Sequence, residues 1–245
     1  MPTVLKRSPE KLLIASAGRR IPVAIKRNPR ALRLILRVDE ALGLPVLTLP
    51  SRTTLSHAER FLRENIGWLE ERLRLLSPPA PFEDGASFPF RGLPCRIRAR
   101  RGRGVVNLER RGDGYRLSVP GEPEFLARRI NDFLRREARR ELTAAAARHQ
   151  EKIGRRAAKI RIADPKSRWG SCSSSRVLTF SWRLILAPPR VLDYLAAHEV
   201  AHLRIMNHGP RFWALVDELD PDNAIARAWL NNAGVGLSAV GRSRP

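Results

Sequence analysis

Apolar positions in the first third of the chain recur at two periods, and the change of period separates strands from helix. Over residues 21–27 and 31–38, apolar and charged residues alternate along much of the length, the pattern of strands with one buried face. Asn28-Pro29 supplies a turn between them, and residues 45–49 read as a third strand. From Thr53 to Leu76 the spacing becomes three and four. Leu55, Ala58, Phe61, Leu62, Ile66, Leu69, Leu73 and Leu76 then form one helical stripe, capped by Thr53 or Thr54 and stopped by Ser77-Pro78-Pro79. After a linker at 78–85, short strands are expected at 86–90, 93–100, 105–109 and 115–119, with Gly112-Asp113-Gly114 turning between the last two.

The second half is helix-rich. Residues 124–153 carry a long amphipathic pattern, and 159–163 and 177–183 are strand candidates, with Ser173-Ser174-Ser175 as their turn. Pro188 and Pro189 then start a helix whose stripe is Val191, Leu192, Leu195, Ala196, Val200 and Leu203 and whose end is expected near Asn207. Gly209-Pro210 breaks the chain before helices at 211–218 and 223–231. The fold class is α+β. Residues 1–19 read as a loose extension, 20–120 as a β-rich half with one helix, 121–235 as a second region and 236–245 as a fraying tail poor in apolar residues, with 20–235 expected to form one continuous domain. No internal repeat is present.

The candidate chemistry lies on the helix that Pro188 and Pro189 begin. Only five histidines occur in the chain, and three fall within eleven residues: His198, His202 and His208. Histidines four apart on a helix project from one side, so both imidazoles reach a common ion. Glu199 lies about 100° around the helix, beside the ion without ligating it, where a general base for an activated water belongs. His208, just past the helix end, makes a third ligand and leaves a fourth position open, the arrangement of catalytic zinc. The 202-to-208 spacing matches the metzincin pattern, but that pattern needs glycine where this chain has Ile205, and no Met-turn signature follows. The metzincin reading is therefore rejected. Tyr194 and Arg211 are candidate oxyanion donors. Asp193, Asp217 and Glu218 are candidates to orient a ligand histidine.

Several neighbouring segments join this motif: Lys166-Ser167-Arg168-Trp169-Gly170-Ser171-Cys172-Ser173, Ser181-Trp182-Arg183-Leu184-Ile185-Leu186-Ala187-Pro188, Asp193-Tyr194, and Asn207-His208-Gly209-Pro210-Arg211-Phe212-Trp213. With them the chain closely resembles the YgjP-like metallopeptidase family, bacterial metal-dependent hydrolases related to SprT-like zincins. The resemblance runs from about Arg20 to about Asn232 and is most specific from Lys166 to Trp213. It implies a zincin-like catalytic region with an HExxH helix, His198, His202 and His208 as ligands of one zinc ion, and Glu199 as catalytic acid. Gly209 stands where relatives often carry a polar helix cap, and the cysteines of a C-terminal zinc ribbon are missing. In zincins an extended substrate pairs with an edge strand beside the metal helix. Trp169, Gly170 and Ser171 are the candidate edge, although Trp169 reads equally as a packing residue and Gly170 as a bend.

Composition narrows the class. With 46 basic against 24 acidic residues the net charge is +22, and only six of the basic residues are lysine. Such a chain attracts polyanions, nucleic acid above all, but arginine scattered over a solvated surface produces the same total. A binding patch is expected at Arg98, Arg100, Arg101 and Arg103 or at Arg135, Arg136, Arg139 and Arg140. Two cysteines, Cys95 and Cys172, make no disulfide framework, and no run approaches the length of a membrane helix, so a cytoplasmic protein is expected. Three functions follow: a zinc peptidase acting on peptide or protein, a metal-dependent hydrolase of nucleotides or other phosphate esters, and a nucleic-acid-binding protein with a structural metal. An intact Glu199 argues against the third, because a structural site needs no base.

Overall fold

The computed structural model describes residues 10–16, 19–39, 44–74, 80–165, 168–232 and 234–242. They fall into two units, Met1–Ser77 and Pro78–Pro245. In the first, β1 (Glu10–Ser16), β2 (Arg19–Arg27), β3 (Ile35–Asp39) and β4 (Leu44–Leu49) form one sheet in the order β1-β2-β4-β3, with β2 and β4 parallel. Helices α1 (Leu55–Glu64) and α2 (Ile66–Arg74) follow, and Ala58, Leu62 and Leu69 join Val23, Ile25, Leu47 and Leu49 in one core. Thr54 caps α1 by accepting from the His57 N–H. The single helix expected from Thr53 is interrupted at Asn65, whose side chain donates to the Phe61 carbonyl. The apolar stripe continues across that break, so periodicity alone does not reveal it.

One expectation changes here. Residues 10–16 are not a loose extension: they form β1, because Leu12 and Ile14 need an apolar face and β2 completes it. The two compact units divide at Ser77, so the strands expected at 86–119 fall in the second. The reason lies in the second unit, where β5 (Ser87–Phe90), β6 (Leu93–Arg100), β7 (Asn107–Arg111) and β8 (Gly114–Pro120) form a sheet in the order β5-β6-β8-β7. Phe90, Ile97, Leu117 and Val119 from that sheet share one core with Ile130, Leu134 and Leu142 of α3 (Leu126–Ile153).

After α3, which Gly154 ends in the left-handed conformation at φ 63°, comes a small sheet of β9 (Lys159–Ala163), β10 (Gly170–Cys172) and β11 (Val177–Ser181). Its order is β10-β11-β9. The serine run turns between β10 and β11, and β9 and β11 lie parallel, so it is not the hairpin turn expected between them. A 3-10 turn (Trp182–Leu186) then buries Trp182, Leu184, Ile185 and Leu186 and leads into α4 (Pro189–Ala201). Helices α5 (Pro210–Leu219), α6 (Asn223–Asn232) and α7 (Gly234–Leu237) complete the unit. The expected fraying tail is anchored through residue 242. Arg183 donates to the carbonyls of Leu237 and Val240, and Val240 bridges to Ala80. The helix stop at 77–79, Lys166-Ser167 and residues 243–245 lie outside the described residues.

Candidate metal centre

Helix α4 carries two of the three histidines on one side, but it ends earlier than its apolar stripe suggests. His202 is the C-cap rather than an interior residue. Leu203 and Arg204 donate to carbonyls three residues back, at Val200 and Ala201, and this tightening turns the chain toward His208 without a glycine at position 205. The His202 Nδ1–H donates to the Ile205 carbonyl at 3.0 Å. That contact assigns the proton to Nδ1 and leaves Nε2 bare. Gly209 caps α5 and carries His208 back over α4.

The Nε2 atoms converge. His208 lies 3.2 Å from His202 and 3.2 Å from His198, and the ligand atoms of all three fall within 4.8 Å of one another. Nitrogens bound tetrahedrally at zinc–nitrogen distances of 2.0–2.1 Å stand about 3.3 Å apart, and both separations from His208 match that spacing. Burial, helped by His202, His208 and Arg227, pushes His198 down to about 4. Burial also lowers His202, against the Ile205 carbonyl and with a contribution from His208. Imidazoles kept neutral retain the lone pairs a metal needs.

Surrounding rings hold this set. Phe212, fully buried on α5, stacks on His202 at 4.4 Å and presents its face or edge to His198 and His208 at 4.9 and 4.7 Å. Trp213 flanks His198 and His208, and the Arg227 guanidinium lies 4.1 Å from its ring centre. Sequence reasoning misses Arg227. Nothing local marks Arg227, which arrives from α6. Tyr194, one turn before His198 and 4% exposed, places its hydroxyl 3.4 Å from His198 Nδ1. It faces the nitrogen remote from the converging Nε2 atoms, a position suited to orienting the ring. Tyr194→Phe removes that contact without changing the shape of the ring, and is expected to weaken metal binding about 10–100-fold. Competition titration against a chelator measures it.

The other polar candidates lie elsewhere. Asp193 accepts from Arg148 at 2.8 Å and meets His149 at 3.2 Å, tying α4 to α3. Asp217 accepts from Asn223, and Glu218 and Arg211 are exposed on α5.

Glu199 is 4% exposed, and its Oε2 has no hydrogen-bond partner among the described residues. Burial pushes it up to about 8, while Arg168 pulls the other way. A buried carboxylate oxygen left without a partner costs stability, which marks it as a group held ready for something outside the chain. With three convergent imidazoles, this donor set fits a divalent metal that activates water.

Glu199 has room only because residue 170 is glycine. A Cβ there would stand 2.5 Å from Oε1 and 2.7 Å from Cγ. Cys172, two residues on along the same face, feels the Glu199 charge as a secondary cause of its raised thiol pKa, after burial. β10 is the outer strand of its sheet. Ser181 donates to the Trp169 carbonyl and Ser173 to the Val177 carbonyl. By antiparallel alternation, the backbone groups of Gly170 and Cys172 therefore point away from β11, toward the open edge. Of the candidate edge residues, Gly170 and Ser171 lie in β10. Trp169 packs against α7, where a Cβ on Gly234 would come within 3.2 Å of its ring. Gly170→Ala is expected to keep the fold and the metal, since residue 170 has no left-handed backbone, yet to cut turnover about 100-fold by displacing Glu199. Steady-state rates with parallel metal analysis decide it.

No curated protein matches the chain. A family model described as YgjP-like, metallopeptidase domain matches residues 32–233.

Proposed function

The chain belongs to the YgjP-like metallopeptidase family, and from that premise we propose that it is a zinc-dependent peptidase that cleaves extended peptide segments. His198, His202 and His208 hold the ion, and Glu199 is its proton-transfer residue. The observation that carries this reading is the convergence of three Nε2 atoms together with a buried carboxylate, next in sequence to His198, that has an unpartnered oxygen.

When bound, zinc supplies a Lewis acid that acidifies water and polarises the scissile carbonyl. Glu199 takes the proton from the water as its oxygen joins the carbonyl carbon. It returns that proton to the departing nitrogen as the carbon–nitrogen bond breaks. Tyr194 and the Ile205 carbonyl hold the rings of His198 and His202 through their Nδ1 atoms. The outward-facing backbone groups of Gly170 and Cys172 pair with the substrate main chain, which gives affinity with little dependence on side chains. Imidazole donors favour zinc over hard cations.

The test is purified chain, with and without added zinc, incubated with a mixture of unstructured peptides and read by mass spectrometry. Cleavage that a chelator abolishes and zinc restores is expected. Release of phosphate from nucleotides, with every peptide left intact, assigns the centre to phosphate esters instead.

A further inference from the structure

The outer face of the sheet β5-β6-β8-β7 carries an arginine array that the metal centre does not use. Alternation in β6 buries Cys95 and Ile97 and turns Arg96, Arg98 and Arg100 to solvent. In β8, Arg116 is exposed and sits directly opposite Arg96, while Ser118 and Pro120 face Arg98 and Arg100. Same-face residues on a strand repeat every ~6.7 Å, and neighbouring strands lie ~4.8 Å apart, so four guanidinium groups rise from one small area. Like charges opposite one another across a sheet are destabilising. Among the described residues none of the four has an ion-pair or hydrogen-bond partner for its guanidinium. Glu109, the carboxylate that β7 sets across from Arg116, is taken by Arg111 at 2.7 Å.

Three of the four arginines in the other cluster singled out in the sequence are occupied. On α3, Arg135 and Arg136 lie over the rings of Trp182 and Phe133, and Arg140 pairs with Glu137 and Glu141. The tertiary structure thus separates two clusters that look alike in sequence. One is spent largely on internal contacts and the other is left open.

The chemistry of the open face selects its partner. Its strands present no exposed large apolar side chain for insertion into a lipid surface. They also offer no aromatic platform for stacking bases, since Phe88 and Phe90 are buried on the opposite face and Tyr115 packs against Phe90. A flat plane of unpaired guanidinium groups matches the regularly spaced phosphates of a nucleic-acid backbone, whose contacts give affinity without reading sequence. We propose that the outer face of β5-β6-β8-β7, through Arg96, Arg98, Arg100 and Arg116, binds the sugar–phosphate backbone of nucleic acid without sequence preference. The proposal is independent of the metal-site reading.

The test uses the full chain, a fluorescent mixed-sequence DNA duplex, and a parallel arm of phosphatidylserine vesicles. Anisotropy is measured between 50 and 200 mM salt. The parent is expected to bind duplexes of different base composition equally, and less tightly as salt rises. The quadruple variant R96Q/R98Q/R100Q/R116Q should weaken binding at least about 10-fold and flatten the slope of log K against log salt by about 3–4, near 0.9 for each phosphate no longer neutralised. R139Q/R140Q on α3 should change that slope far less. Removing the opposed charges should leave the melting temperature of the quadruple variant at or above the parent's. If that variant does not fold, R98Q alone should lower the slope by about 1. Parent-like affinity and slope in the folded variant (or in R98Q), or binding of the parent to vesicles but not to duplex, overturns the proposal.

Discussion

Glu199→Gln is expected to leave zinc content at the parental level while reducing peptide hydrolysis about 10²–10⁴-fold. Glutamine has the shape of the carboxylate and fits the space that Gly170 leaves, but it cannot accept the proton of the attacking water. Since Glu199 is not among the three converging ligands, the metal has no reason to leave. Metal analysis together with cleavage rates checks both halves, and a variant as fast as the parent removes Glu199 from proton transfer. The same substitution has a consequence for metal-free protein. Burial raises Glu199 from 4.5 to about 8, so the folded chain holds this proton more tightly than the unfolded one. Its contribution to stability is fully present below pH ~4.5 and is lost as pH rises toward ~8, by up to several kcal/mol. With chelator present, the parent should therefore lose melting temperature relative to Glu199→Gln between pH 5 and 8.5. Taking the difference between the two proteins removes the histidine contributions. A bound dication draws Glu199 back down, so the gap should narrow when zinc is restored.

His208→Ala should abolish both hydrolysis and the stabilisation of the fold by zinc. His208 is exposed between α4 and α5, so its loss is expected to leave the metal-free melting temperature nearly unchanged. At a free zinc concentration 100-fold above the dissociation constant, binding stabilises the parent by about 2.7 kcal/mol, or roughly 5–10 °C for a unit of this size. The variant should show almost none of that rise. Thermal melts with and without zinc measure it, and a parent-like rise takes His208 out of the site.

The legible parts of this protein are those set by near neighbours in sequence. His198, Glu199 and His202 are visible because one helical turn fixes their relative directions. The strands at 93–100 and 159–163 are visible because alternation runs through their whole length. β10 is not, since three residues are too few to show a period. β1 is hidden because Leu12-Leu13-Ile14 is an unbroken apolar run that shows no alternation. The helix end at Ala201 rather than Asn207 is masked because Leu203 continues the apolar stripe past the last full turn.

Sequence alone determined the kind of chemistry available: which imidazoles share a helix side, which carboxylate stands next to them, and an α+β alternation of periods. Only the tertiary structure decided that His208 folds back onto the pair, that Gly170 makes space for Glu199 from a neighbouring sheet, that the Tyr194 hydroxyl meets the His198 ring, and which arginines stay unpaired. The physical reason is range. Periodicity reports the angle between residues a few positions apart. Convergence, burial and charge pairing depend on segments tens of residues distant, whose approach is set by the packing of a shared core.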